Sequence, residues 1–447
     1  MRWFWNVATD VLLVGLFSSQ MRAQTTPTPD PASPPMFTLD DLYHRTLKRA
    51  EAVKLGRENL YVAELQREKA LSVLIPSFSA YGDYRHYSDE RYLREVPVQP
   101  QWRGSYGLRL DQSFTLNGKE LVAYDISKDN IEKERLNLDN IRESLLIQTA
   151  AAYFNVLKAE KNIQIAESNV ERLRTARDSV KTRLELETAT LTDLYRAEAE
   201  LSKARTQNIL EVNQRDLVKA QLASISGLDG PFEVVPPEAT VQPLPAYELT
   251  TLKITALRDR PDLKALEMQR EMAEKEIRFT KGDWWPRVGV EGVWAQSDAF
   301  PDETVAVENS LWAGLYLNFT IYDGGLRRAE VHESMSRERQ AQLAIDALHK
   351  QIAVEVEEAF LYYRAAKTSL DSLHEELKFA EENFRAVTTQ FDFGLTNSVD
   401  VVDANTLLVT AQQRLAEAHF VSRLALLQID RATGNLLPQV TDRLALD

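Results

Sequence analysis

Gly394-Leu395-Thr396-Asn397-Ser398-Val399-Asp400-Val401-Val402-Asp403-Ala404 interrupts a long run without helix breakers. No proline occurs from 302 to 437, and Gly394 is the one glycine between 326 and 433. A glycine ends a helix readily because it adopts positive φ at no steric cost. Ser398 is placed to cap a following helix, with Asp400 in its first turn complementing the helix dipole. The stretch therefore predicts the turn of a helical hairpin, with helices over about 326–391 and 400–434.

The first half of the chain is built alike. Glycine is absent from 119 to 226 and proline from 101 to 230, although the 447 residues hold 16 Gly and 17 Pro. Helices are expected over about 119–186 and 193–227, the first about 100 Å long at 1.5 Å per residue. Their turn, Glu187-Thr188-Ala189-Thr190-Leu191-Thr192-Asp193, lacks the glycine. Ala197, Leu201 and Ala204, like Ala404, Leu408 and Ala411, form stripes of small and apolar residues spaced as in coiled coils.

The likeness is a duplication. Leu47, Ala63, Pro76 and Gly82 fall on Leu257, Ala273, Pro286 and Gly292 at one offset. Ala152, Asp193, Ala197, Leu201 and Gly227 fall on Ala359, Asp400, Ala404, Leu408 and Gly434 at an offset only three residues different. Matched proline, glycine and aspartate in one order are hard to obtain by chance. Each half reads helix, strand pair, long helix, turn, helix. The first helix covers about 38–73 and its counterpart about 248–281. The chain divides into a signal segment (1–23), a Pro/Thr-rich linker (24–37), a first repeat (38–230), an inter-repeat linker (231–247), a second repeat (248–437) and a C-terminal tail (438–447).

In each repeat the period switches from 3.6 to 2. Strands are expected over about 77–87, 102–116, 287–297 and 310–322, each with one apolar and one polar face. Phe78, Leu108, Leu110, Phe114, Val288, Val290, Leu311, Leu315, Phe319 and Ile321 take the apolar faces. Such alternation fits a membrane β-barrel or a half-buried antiparallel sheet. Tryptophan favours the membrane: beyond the signal segment, Trp102, Trp284, Trp285, Trp294 and Trp312 all lie in or beside the strands. An interfacial aromatic girdle has that distribution. Four strands cannot close a barrel, so a spanning barrel needs several chains; two supply eight strands and three supply twelve.

The formal charge of −14 argues against nucleic-acid binding, and the absence of cysteine excludes disulfides, zinc-thiolate sites and thiol catalysis. The hydrophobic share of 44% is that of a soluble protein. Arg2, an apolar core at Val11–Phe17 and a polar patch ending near Ala23 have the order of a secretory signal. The six histidines are scattered, and no catalytic or phosphate-binding motif occurs, so neither an enzyme nor a cofactor is expected. A soluble periplasmic coiled-coil scaffold is the alternative reading, and it leaves the strands unexplained.

Asp400 and Asp403, three apart, share one helical face. They are either a helix start with a solvated face, or one unit of a carboxylate ring at a pore mouth. At this point the chain resembles the TolC-like outer-membrane efflux protein family. The resemblance rests on Gly394 to Ala404 followed by Leu408 and Ala411, on Arg260-Pro261-Asp262-Leu263, and on the duplicated element order. It implies a mainly α fold with a membrane β-barrel portion: a homotrimer with a 12-stranded β-barrel in outer-membrane lipid, continued by a periplasmic α-helical barrel. It implies a passive channel of a tripartite efflux or type I secretion system, docking a periplasmic adaptor (membrane fusion) protein and an inner-membrane transporter. By resemblance Asp400 and Asp403 narrow the periplasmic entrance, with Thr192, Asp193, Gly394 and Thr396 in the tip turns. Phe391 stands where relatives carry a tyrosine able to bond across the tip, and Thr396 where some carry a basic residue. Polar links holding this tip shut must therefore differ.

Overall fold

The computed structural model describes residues 34–93, 96–237, 247–305 and 307–444. The expected signal segment, most of the first linker, the centre of the inter-repeat linker and the last three residues lie outside the described residues. A short strand β1 (Met36–Phe37) leads into α1 (Leu39–Arg49) and α2 (Glu51–Ser72). Then come β2 (Ser77–His86), a small hairpin β3 (Arg91–Leu93) and β4 (Val96–Gln99), and β5 (Trp102–Thr115). The first repeat ends with α3 (Lys119–Glu185), α4 (Leu191–Ser226) and a short β6 (Glu233–Val234). The second holds α5 (Leu249–Asp259), α6 (Pro261–Lys281), β7 (Arg287–Phe300), β8 (Asn309–Asn318), α7 (Leu326–Asp392), α8 (Ser398–Ala432) and α9 (Leu436–Leu444).

Three expectations change. The single helices expected over 38–73 and 248–281 are each two helices, broken at Ala50 (ψ 132°) and Arg260 (ψ 124°). At Arg260 the cause is local, because a residue before proline is pushed out of the α region. Ala50 precedes no proline; there the chain breaks where Ala50 and Val53 are buried with Leu138, and no local residue signal marks the break. The strand expected over 310–322 stops at Asn318, since its partner β7 begins at Arg287, opposite Asn318, and offers no further backbone. The expected tail at 438–447 is largely helix α9, with Leu436 and Val440 fully buried against Leu42, Tyr43 and Tyr153.

The main sheet has the order β2-β5-β7-β8, antiparallel throughout, so β2 and β8 are both open edges. Its register puts Phe78, Leu110 and Ala313 on one face, together with Leu108, Trp294 and Leu311. Among the described residues nothing covers this face: Phe78 is 69% exposed, Leu311 80% and Leu315 78%. The other face carries Asp83, Arg85, Arg109, Asp111 and Glu291, with Arg109 Nε 3.0 Å from Glu291 Oε1. Among the described residues no helix is apolar enough to cross a membrane.

The helices α3 and α7 each run 67 residues, about 100 Å. Each folds back on its return helix, α4 or α8, and α3 also packs along α6 and α8. The shared core lies where both linkers meet. There β1 pairs in parallel with β6, Phe37 opposite Val234. Around it, Leu42, Leu146, Tyr153 and Leu222 form one cluster, and Leu252, Ile352, Val356 and Ile429 form its counterpart. The duplication extends to single hydrogen bonds. Leu228 N–H donates to the Ala223 carbonyl at 3.0 Å, and Asn435 N–H to the Asp430 carbonyl at 2.8 Å, one helix ending at Gly227 and the other beside Gly434. Gly434 must be glycine. Its φ is +75°, and a Cβ there would lie 2.9 Å from the Arg260 backbone.

Candidate functional site: the paired hairpin tips

At the second tip, Phe393 N–H donates to the Thr389 carbonyl, Gly394 N–H to Phe391 and Leu395 N–H to Gln390 (3.2, 3.0 and 2.8 Å). These bonds close the last turn of α7 around Gly394, whose φ is +74°. The first tip repeats them. Leu186 donates to Thr182, Glu187 to Leu184 and Thr188 to Arg183 (3.1, 3.0 and 2.8 Å). Glu187 occupies the place of Gly394 and adopts φ +59°, the one non-glycine residue with positive φ among the described residues. The turn geometry is kept without the glycine, at a backbone cost of about 1–2 kcal/mol.

Both return helices start with a capping box. Thr190 Oγ1 accepts from Asp193 N–H at 3.2 Å, and the Asp193 carboxylate accepts from Thr190 N–H at 3.1 Å. In the second tip Asn397, not Ser398, is the cap: its Oδ1 accepts from Val399 N–H at 2.8 Å and from Asp400 N–H at 3.2 Å. Asp400 reciprocates from the third helical position and also accepts from the Thr396 hydroxyl. The expected Ser398 cap is thus corrected by one residue. The signal was present, since Asn397 and Asp400 have the spacing that Thr190 and Asp193 have.

Ser398, freed from capping, is buried and ties the tips together. Its hydroxyl donates to Asp193 Oδ1 at 2.8 Å. The hydroxyls of Thr190 and then Ser398 hold the Asp193 carboxyl below the usual carboxylate range. Arg183 makes the second tie. Its guanidinium lies over the Phe391 ring at 4.4 Å and donates to the Asp392 carbonyl at 2.7 Å. Sequence reasoning missed Arg183, because nothing in a charged helix end marks which arginine faces a neighbouring hairpin. Deeper between the hairpins, Asn405 accepts from Arg172 Nε at 3.1 Å and donates to Asn169 at 2.8 Å. Thr192, Asp400 and Asp403 are exposed, and Asp403 lies one turn beyond Asp400 on α8.

The aromatic residues divide by pleat. Trp102 stacks on Tyr84 at 5.9 Å, and Trp294 meets Tyr106 edge-on at 6.2 Å; all four lie on the apolar face. Trp312 is opposite Val293, in the same row as Arg109, and so lies on the polar face. Its expected place in a lipid-facing girdle is a correction, because the sequence showed nearness to strands while register decides the face. Trp284 and Trp285 sit in the turn before β7 at the helical end of the sheet, with Arg327 over the Trp284 ring at 4.6 Å.

The sequence model of the family described as "Outer membrane efflux protein" matches residues 42–228 and 254–435. The outer membrane protein TolC of Escherichia coli is 24% identical over 396 residues, covering 85% of this chain and 78% of its own. The outer membrane efflux protein BepC of Brucella suis is 22% identical over 333 residues, covering 74% and 72%. Among solved structures, the CmeC outer membrane channel of Campylobacter jejuni superposes with a TM-score of 0.79 at 15% identity, covering 89% of this chain and 86% of that one.

Proposed function

The chain belongs to the outer membrane efflux protein family and is an outer-membrane channel; from that premise we propose that three copies join into one duct across the outer membrane and periplasm. The carrying observation is the open four-stranded sheet: an uncovered apolar face and two unpaired edges. An edge strand cannot stay unpaired in lipid. Pairing β8 of one copy with β2 of the next removes every edge, and three copies close a barrel of twelve strands. Phe78, Leu110, Leu311 and Leu315 then meet lipid, and the ion-paired face lines the lumen. Trp102, opposite Phe300 at the end of the sheet away from the helices, faces the bilayer near one interface and Trp294 faces it at mid-strand, while Trp284 and Trp285 mark the periplasmic interface.

The helices α3, α4, α7 and α8 continue the barrel through the periplasm, and the hairpin tips form its entrance. There Asp400 and Asp403 of three copies assemble a ring of six carboxylates that narrows the mouth and attracts cations. Thr192, Asp193, Gly394 and Thr396 shape the turns around it. The protein performs no chemistry and needs no cofactor. It works as the passive outer component of a tripartite efflux or type I secretion system, with a periplasmic adaptor and an inner-membrane transporter. Residues 1–23 direct export, and 24–37 link the signal to the first repeat.

Purified protein reconstituted in planar bilayers tests this reading. A trimer with voltage-driven conductance is expected, and replacing both Asp400 and Asp403 by Ala should relieve block by divalent cations. A detergent-independent monomer without conductance overturns the channel. A conducting trimer whose block is unchanged in the double variant overturns only the carboxylate ring.

A further inference from the structure

Away from the tips, α7 and α8 bring two histidines together. The His374 and His419 ring centroids are 5.5 Å apart, with ring planes at 89°. His374 Nδ1 lies 2.8 Å from the Leu370 carbonyl oxygen, one turn back. A carbonyl can only accept, so Nδ1 carries a proton there and Nε2 is the ring nitrogen left free to meet a metal. A backbone carbonyl holding one ring nitrogen is the outer-sphere arrangement that orients metal-ligating imidazoles.

The spacing fits one shared ion. A metal–nitrogen bond is about 2.0–2.1 Å, which puts the ion about 3.2 Å from each ring centroid. Two imidazoles at a tetrahedral angle then have centroids about 5.2 Å apart, close to the observed separation. The charged neighbours favour imidazole ligation over a carboxylate cage. On α7, Glu376 is engaged by Arg414 at 3.1 Å, and on α8, Glu417 is engaged by Lys158 of α3 at 2.6 Å. Lys378 and Arg423, one turn from His374 and His419, weigh against hard cations held by charge alone. Imidazole nitrogen with water in the open positions suits borderline divalent ions.

We propose that His374 and His419 form a two-imidazole site for a borderline transition-metal ion of the Zn2+, Cu2+ or Ni2+ class. The ion pins α7 to α8 roughly 30 Å from the second tip, at 1.5 Å per residue. The site is independent of the channel reading, because both ligands belong to one chain and neither lies at the tips or in the sheet.

Titration of the full-length protein in detergent with Zn2+, and with Cu2+ followed by electron paramagnetic resonance, tests the site. One ion per chain is expected, with nitrogen hyperfine structure from two imidazoles. His374→Ala and His419→Ala should each weaken binding by more than the roughly 10–100-fold that losing an outer-sphere partner costs. His332→Ala and His349→Ala should leave it unchanged. Zn2+ should raise the Tm of the parent protein and not of either ligand variant. The proposal is overturned if no stoichiometric binding occurs, if the double variant binds as the parent does, or if either single variant retains parental affinity.

Discussion

Arg183 joins the two hairpins through groups of opposite repeats, and its removal has a size that can be worked out. A cation over an aromatic ring contributes about 0.5–2 kcal/mol, more as it is desolvated; the Arg183 side chain is 21% exposed, towards the dry end. Its hydrogen bond to the Asp392 carbonyl, donated by a charged group, adds about 1.5–3 kcal/mol. The Asp392 carboxylate, 3.7 Å away and 60% exposed, adds little. Arg183→Ala should therefore weaken the tie by about 2–5 kcal/mol per chain, shifting the ratio of tied to untied tips by at least about 30-fold. Phe391→Leu keeps the apolar bulk and removes the ring face, so about 0.5–1.5 kcal/mol is expected. If the hairpins part when the mouth widens, Arg183→Ala raises single-channel conductance or open time in bilayers. Phe391→Leu does so less, and the double variant falls short of the sum because the two residues share one interaction. Folded Arg183→Ala protein with parental conductance, or strictly additive effects, would refute the assignment.

The two tips invite reciprocal substitutions. Glu187→Gly removes left-handed strain and should stabilise the first turn by about 0.5–1 kcal/mol after the added chain entropy of glycine. Gly394→Ala should destabilise the second by about 1–2 kcal/mol, a backbone effect alone because a Cβ there meets nothing within 4 Å. Hydrogen exchange of the Thr188 and Leu395 amides reads both. Glu143 is fully buried, and burial raises its carboxyl pKa from 4.5 to about 7 despite Arg431 nearby. The folded state holds that proton more tightly, so this contribution is complete below pH 4.5 and is lost as pH rises to 7. Glu143→Gln should flatten the stability profile over that window and gain up to about 3 kcal/mol above pH 7, measured by denaturation at a series of pH values. On the polar face a Cβ at Gly289 would overlap the Tyr316 ring. Gly289→Ala should cost about 1–3 kcal/mol and lower the yield of folded protein. Tyr316→Ala in the same chain should restore it.

Much of the fold was legible because its signals are local. Runs without glycine or proline predict long helices wherever they occur, and period-2 alternation predicts the strands. The capping spacing is also local, yet two adjacent residues, Asn397 and Ser398, can both cap, and it is Asn397 that fills the position. The turn at Glu187 lacks the glycine, and the structure keeps the same hydrogen bonds there. The matched helices on either side leave the chain no other path, and the cost of one strained residue is small beside their packing.

The sequence alone determined the repeat, the length and order of the helices, the two-faced strands and the absence of cysteine chemistry. All of these depend on residue type and spacing along one chain. The tertiary structure decided which face each strand residue takes, because register is a relation between strands and one residue of slip exchanges the faces. That is why Trp312 belongs with Arg109 and Glu291, and Trp294 with the apolar side. It also decided the partners of Arg183, Ser398 and His419, each supplied by a segment distant in sequence. The hydrophobic share of 44% could not reveal a membrane protein. A small sheet holds the uncovered apolar face, while helices about 100 Å long dominate the average.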